Sequence, residues 1–155
     1  MSDPAAVPFE TTLHVRDTCL CLHTQRAARV LARRFDEVLR PAGLTNGQFS
    51  LLMTLNRPGP PSMRQVASLL GADRTTLTAA LKPLVREGLV EVQTDAGDGR
   101  VRRLALTGSG RARLAAAVPL WVEAHAALEA EVVEPARLRR ALQSLSAAPD
   151  AERAA

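Results

Sequence analysis

Residues 62–106 read SMRQVASLLGADRTTLTAALKPLVREGLVEVQTDAGDGRVRRLAL, and this stretch decides the fold. Ser62 and Gln65 stand at the S-x-x-Q spacing of a capping box, in which two side chains satisfy orphan amides of a first helical turn. Met63, Val66, Ala67 and Leu70 then recur at i, i+3, i+4 and i+7, one buried helical face, and Gly71 ends the helix. Asp73 caps a second helix, RTTLTAALKPLVRE, whose apolar stripe is Leu77, Leu81, Leu84 and Val85. Pro83 removes one backbone bond and predicts a mild kink rather than a break, because the stripe continues past it. Gly88 ends this helix. Residues 89–94 and 101–106 read as strands, with Leu104 and Leu106 alternating with Arg103 and Ala105 around the turn-rich loop DAGDGR. The sum is a winged helix-turn-helix.

The second helix carries the chemistry. At about 100° per residue, the face opposite its stripe holds Thr75, Thr76, Ala79, Lys82 and Arg86. That face is short, polar and positive, with no acid. Hydroxyls reach phosphates and base edges, Arg and Lys reach guanine or phosphate, and small residues permit close approach, so it suits a major groove. Arg100, Arg102 and Arg103 cluster beyond the loop, where a basic hairpin tip suits the negative potential of a minor groove.

ADRTTLTAALKPLVREGLV followed by D-x-x-D-G-R-V-R-R-L-x-L-T-x-x-G resembles the MarR family of bacterial transcriptional regulators. The resemblance covers about residues 14–147, and the wing signature is its specific part. It implies an obligate homodimer on a pseudo-palindromic operator. It also implies that Arg74, Thr75, Thr76, Thr78 and Lys82 face the major groove, that Arg100 enters the minor groove, and that Asp98 supports the wing by pairing with a nearby Arg. Ala79–Ala80 departs from the polar or basic residues of many relatives and leaves fewer direct base contacts.

The remaining chain fits a dimerising frame. At 155 residues and 46% hydrophobic, it is long enough for one cored domain. Its net charge of +4 and pI near 10.3, supplied almost wholly by arginine, permit a nucleic-acid partner. No apolar run approaches the ~20 residues of a membrane span, the N-terminus lacks a signal-peptide core, and the expected compartment is the cytoplasm. Residues 1–12 read as a loose arm packing on a second subunit. Residues 14–40 read as one long helix, with Leu20, Ala27, Leu31, Phe35 and Val38 near one face and Arg26, Arg29, Arg33 and Arg34 off it, ended by Pro41 and Gly43. Those arginines fit a solvated face or contacts to DNA backbone or an acidic ligand.

Thr45 and Gln48 form a second capping box before FSLLMTL, a helix stopped by the rigid NRPGPP. Thr107 caps a helix entered through Gly108 and Gly110. It runs to Glu131 over a stripe of Leu114, Val118, Trp121, Ala124 and Leu128, with a bend expected at Pro119. Glu134–Pro135 opens a last helix lined by Leu138, Leu142 and Leu145, and the tail SAAPDAERAA is expected to fray. The fold class is thus mainly α with a small β-hairpin wing (α+β). It comprises a DNA-binding lobe over about 45–106 and dimerisation helices over about 14–44 and 107–147, within one domain, 1–155.

Three features admit more than one reading. Cys19-Leu20-Cys21, with His23 close by, is either a thiol sensor or two small apolar residues packed in an interface. A shared metal ion fits poorly, since i and i+2 point about 200° apart on a helix. Peroxide sensing in some MarR relatives is assisted by tyrosines, and this chain has none. Trp121 and His125, one turn apart, either line a crevice for a small aromatic effector or belong to the core. Finally, no catalytic triad, phosphate loop or paired metal ligands occur at motif spacing, and His14, His23 and His125 lack partners at such spacing. No enzyme activity, cofactor or metal is expected. The leading function is a homodimeric, operator-binding regulator, a repressor released by a small molecule or by thiol modification. The alternatives are a sequence-neutral architectural DNA binder and a winged-helix protein-interaction module.

Overall fold

The computed structural model describes residues 6–147. Helices α1 (Phe9–Thr18), α2 (Leu20–Leu39), α3 (Asn46–Leu55), α4 (Met63–Leu70) and α5 (Arg74–Arg86) precede strands β1 (Val90–Thr94) and β2 (Arg102–Leu106). Helices α6 (Gly108–Glu131) and α7 (Pro135–Ser146) follow. This is the winged helix-turn-helix expected of the sequence. Two compact units divide the chain between Arg34 and Phe35.

In the first unit, one expected helix is two. Cys19 takes an extended conformation (ψ 105°) that ends α1, and α2 starts at Leu20. Nothing in the local sequence forbids a continuous helix, so the break was not foreseen. The arm expected over 1–12 is helical from Phe9 onward, and residues 1–5 lie outside the described residues. Val15, Leu20, Val30 and Leu31 are exposed, as are Arg26, Arg29 and Arg33.

The second unit holds the core. Phe35 and Leu39 at the end of α2 join Leu44, Phe49, Leu52, Val66, Leu77, Leu84, Leu104, Leu106, Leu114 and other buried side chains in one cluster. A 3-10 turn over Arg40–Ala42 and Gly43, in the left-handed conformation (φ 68°), stop α2. Both capping boxes form. Thr45 Oγ1 accepts the Gln48 amide at 3.2 Å while Gln48 Oε1 accepts the Thr45 amide at 2.9 Å. Ser62 and Gln65 do the same at 3.2 and 2.8 Å. Gly71 closes α4 at φ 61°. Helix α5 passes through Pro83 without interruption, and α6 likewise through Pro119.

One assignment to the buried stripe of α5 is corrected. Val85 is 40% exposed: the stripe packs on Leu77, Leu81 and Leu84, and Val85, one residue past Leu84, turns toward the open side facing β1. On α6, Leu114 is buried, while Val118, Trp121, Ala124 and Leu128 are half-buried against the core. Leu138, Leu142 and Leu145 of α7 remain 42–54% exposed. Helix α7 begins at Pro135, as expected; residues 148–155, most of the tail, lie outside the described residues.

The strands pair antiparallel with Val90 opposite Leu106, Val92 opposite Leu104 and Thr94 opposite Arg102. A third segment joins them. The Leu104 amide donates to the Pro61 carbonyl at 2.9 Å, and Ser62 bridges Arg103. The proline run thus does more than stop α3. Its prolines cannot donate, but Pro61 can still accept.

Helix α6 enters against backbone. Thr107 Oγ1 accepts the Gly110 amide at 3.0 Å and donates to the Gly88 carbonyl at 2.6 Å. The Thr107 amide donates to the Leu89 carbonyl at 3.1 Å. A Cβ on Gly110 would lie 2.0 Å from that same carbonyl oxygen, whereas one on Gly108 would meet nothing within 4 Å. The tight entry therefore rests on Gly110 alone. Gly110→Ala is expected to cost at least about 1–3 kcal/mol of stability by overpacking. Gly108→Ala should be neutral or stabilising by up to about 1 kcal/mol. Urea denaturation of the two variants checks the contrast, and equal stabilities would contradict it.

Candidate nucleic-acid interface

Helix α5 is held at its start by Asp73, whose Oδ1 accepts the Thr76 amide at 2.7 Å. Hydrogen bonds from the Thr76 amide and then its side chain hold the Asp73 carboxyl below its ordinary value of 3.8. Arg74, Thr75, Thr76, Thr78, Ala79, Ala80, Lys82 and Arg86 are all exposed, because burial of Leu77, Leu81 and Leu84 turns the other face out. The Thr78 hydroxyl donates to the Arg74 carbonyl at 2.7 Å, so its proton is used within the helix and its oxygen faces outward as an acceptor.

The wing is organised by a carboxylate, though not the expected one. Asp95 Oδ1 accepts the Gly97 and Asp98 amides at 2.8 and 2.9 Å, and Asp95 Oδ2 pairs with Arg103 Nε. The Arg103 guanidinium, followed by the two turn amides, lowers the Asp95 pKa below 3.8. Asp98, expected to pair with an arginine, instead accepts the Arg100 backbone amide at 2.9 Å. Arg103, grouped by sequence with the basic tip, is half-buried and also donates to the Pro60 carbonyl at 2.9 Å. Strand alternation explains the change: Arg102 and Arg103 lie on opposite faces of β2. Arg102 reaches Thr94 Oγ1 and stays exposed, as does Arg100.

Helix and wing enclose two continuous clefts. One, of about 550 Å³, is lined by Arg64, Arg74, Arg100 and Arg102 with Ser62, Met63, Ala67 and Val101. The other, of about 450 Å³, is lined by Arg74, Thr78, Lys82, Arg86 and Arg102 with Met63, Leu81, Val85 and Val92. No acidic side chain lines either. Arg74, Thr78, Lys82 and Arg100 are thereby brought to one face. Arg64 was missed by sequence reasoning: its place beside Arg74 and Arg100 follows from how α4 crosses the chain after it, which no local pattern encodes.

The remaining candidates lie elsewhere. Cys19 Sγ accepts the Leu22 amide at 3.4 Å, capping α2, and Cys21 Sγ accepts from Gln25 Nε2 at 3.1 Å. Both thiols are free, Cys19 half-buried and Cys21 exposed. Among the described residues no three His, Cys, Asp or Glu side chains gather as a metal site. Trp121 stacks between Phe49 (centroids 6.0 Å apart) and His125 (4.4 Å), and His125 lies 6.5 Å from Phe35. Two of these rings, Phe35 and Phe49, are buried, which ties Trp121 to the core. Among the described residues no helix is long and apolar enough to cross a membrane.

The sequence pattern that defines the MarR family matches residues 44–101, from the entry to α3 through the wing tip. The crystal structure of the M. tuberculosis transcriptional regulator MosR in complex with DNA shares 44% identity and a TM-score of 0.77 with this chain, over 83% of this chain and 93% of that one. The chain belongs to the MarR family. It is 32% identical over 82 residues to the HTH-type transcriptional regulator YwoH of Bacillus subtilis, covering 53% of this chain and 59% of YwoH. It is 33% identical over 95 residues to TtmR of Methylorubrum extorquens, covering 61% of this chain and 49% of TtmR. It thus spans about half the length of the curated relatives it matches. MarR proteins are non-enzymatic, DNA-binding transcriptional regulators. The two clefts between α5 and the wing, free of acidic side chains, lie within or beside the segment matched by the family pattern.

Both depressed carboxyls stabilise the fold by being ionised. Their contributions are complete above 3.8, the ordinary value, and are lost as pH falls below it through the lower folded-state values. Asp73→Ala should therefore lower stability at neutral pH. Asp73→Asn, which keeps a capping oxygen, should cost much less. The gap between wild type and Asp73→Ala should narrow as pH drops below that range. Thermal melts across pH test this, and a gap that widens toward acid would refute the assignment.

Proposed function

We propose that this chain is a homodimeric, sequence-specific transcriptional regulator that binds a pseudo-palindromic DNA operator as a repressor. The observation that carries the proposal is the pair of acid-free clefts, which set Arg64, Arg74, Arg100 and Arg102 around one concavity and Thr78, Lys82 and Arg86 along its continuation. A polyanion with a regular phosphate spacing is the ligand such a surface selects. In this assignment Arg74, Thr75, Thr76, Thr78 and Lys82 read a major groove. Arg100 enters the adjoining minor groove, and Asp98 supports it by holding its backbone amide. Ala79 and Ala80 allow close approach of the helix. A DNA reader of this kind works in the cytoplasm.

Residues of about 45–106 serve as the DNA-binding lobe, and those of about 14–44 and 107–147 as the dimerising helices. The exposed aliphatic residues Leu20 and Leu31 in the first unit, and Leu138, Leu142 and Leu145 on α7, support a second copy as the cover. Release follows from any event that favours a dimer with altered spacing of its α5 helices, by the difference in its binding free energy for the two states. Two sites support such events. One is the half-buried Trp121–His125 stack, the candidate contact for a small aromatic effector. Thiol modification at Cys19 would add a group to the sulfur that caps α2 where α1 ends and disturb that cap, with Cys21 two residues away.

Gel-shift binding to DNA upstream of the chain's own gene, and to duplexes selected from a random pool, tests this function. The expected result is competitor-resistant binding, tighter on the selected site by at least about 4 kcal/mol than on random duplex. Arg100→Ala should weaken binding about tenfold and flatten its salt dependence. Equal affinity for every duplex would instead identify an architectural binder. Peroxide-driven release that persists in the Cys19→Ser, Cys21→Ser double variant would eliminate the thiol route.

A further inference from the structure

Arg100 is placed by a continuous chain of hydrogen bonds that starts outside the wing. The Pro60 carbonyl, in the segment between α3 and α4, accepts from Arg103 Nη1 at 2.9 Å. Arg103 Nε pairs with Asp95 Oδ2. The other oxygen of that carboxylate accepts the Gly97 and Asp98 amides at 2.8 and 2.9 Å. Asp98 Oδ1 accepts the Arg100 amide at 2.9 Å, and the Asp98 carbonyl accepts the Val101 amide at 2.9 Å. Every link but the first lies within the hairpin. The first crosses 43 residues of sequence and ties the hairpin to the helix-turn-helix scaffold.

We propose that Arg103, gripping Asp95 and the Pro60 carbonyl at once, is a positioning residue that sets where Arg100 meets the duplex. The hairpin has only two five-residue strands, and its tip from Ala96 to Arg100 is exposed throughout. A two-stranded ribbon of that length twists and swings readily. The guanidinium limits this because it is a rigid planar fork: Nε and Nη1 point in fixed directions, so the two acceptors are held in fixed relation. With a side chain 38% exposed against 17% for Asp95, Arg103 sits behind the tip, and it is absent from the lining of both clefts. Its influence on DNA passes through Arg100 and not through a phosphate of its own. This inference rests on the DNA-binding function proposed above.

The test is a double-mutant cycle in the full-length protein, with a duplex selected from a random pool by the wild type and a random duplex as competitor, across a range of salt. Arg100→Ala is one arm, and Arg103→Ala, Arg103→Lys and Asp95→Asn are the others. Asp95→Asn keeps an oxygen for the Gly97 and Asp98 amides but loses the charge that holds Arg103. It therefore reports on the link even where Arg103→Ala lowers stability. Each of the three should weaken binding about as much as Arg100→Ala, roughly tenfold, with a similarly flattened salt dependence. Added to Arg100→Ala, each should weaken binding by less than about twofold more, because the arginine it positions is already gone. Losses that multiply, or wild-type affinity in Asp95→Asn and Arg103→Lys, would overturn the inference while leaving the DNA-binding function intact. Absence of salt-sensitive binding by the wild type would overturn both.

Discussion

The backbone contact at Leu89 is the constraint on which the second unit depends. Three elements meet there. The Leu89 amide closes onto the Leu84 carbonyl at 2.9 Å, ending α5. Its carbonyl accepts Thr107 just beyond β2, and α6 passes over it with no room for a side chain at Gly110. The end of α5, the base of the wing and the start of α6 therefore share one anchoring point. Leu89 and Val90 are buried beneath it, so hydrogen bonds and apolar burial fix the same geometry. A change in the direction of α6 must move α5 and the wing together, which is a property a regulator of DNA binding can use.

Much of the fold was legible because its signals are local. Capping boxes at Thr45 and Ser62, the Asp73 cap, Gly71 and the Thr107 cap each act within four residues, and each forms as the spacing implies. Apolar periodicity located the cores of α4, α5 and α6 for the same reason. The exceptions are instructive. Val85 fits a helical stripe but is exposed, since periodicity gives a direction and not a partner. The break at Cys19 is a backbone choice without a glycine or proline to announce it. The role of Pro60 and Pro61 as acceptors for the wing depends on tertiary approach, and proline content signalled only that the helix stops.

The surface proposed to bind DNA was legible in outline for a similar reason. Burial of Leu77 and Leu81 leaves the Thr75–Lys82 face outward by geometry alone. What sequence could not resolve was the division of labour among clustered charges. Asp95 and Asp98 are equivalent in a motif, and so are Arg100, Arg102 and Arg103. In space Asp95 and Arg103 turn inward to build the hairpin, leaving Asp98 to hold a turn and Arg100 to project. Like side chains acquire different roles from the pleat of the strand and the reach of the neighbouring loop.

The composition of the acid-free clefts has one more consequence. Lys82 is the only lysine in the chain, so the basic face is otherwise built from guanidinium groups, which do not deprotonate under any condition compatible with life. Acylation of lysine amines, a common means of erasing positive charge, can touch this face at a single position. The positive charge of this face is therefore nearly invariant to pH near neutrality and to acyl-donor chemistry. A loss of positive charge on this face therefore cannot come from deprotonation of its arginines.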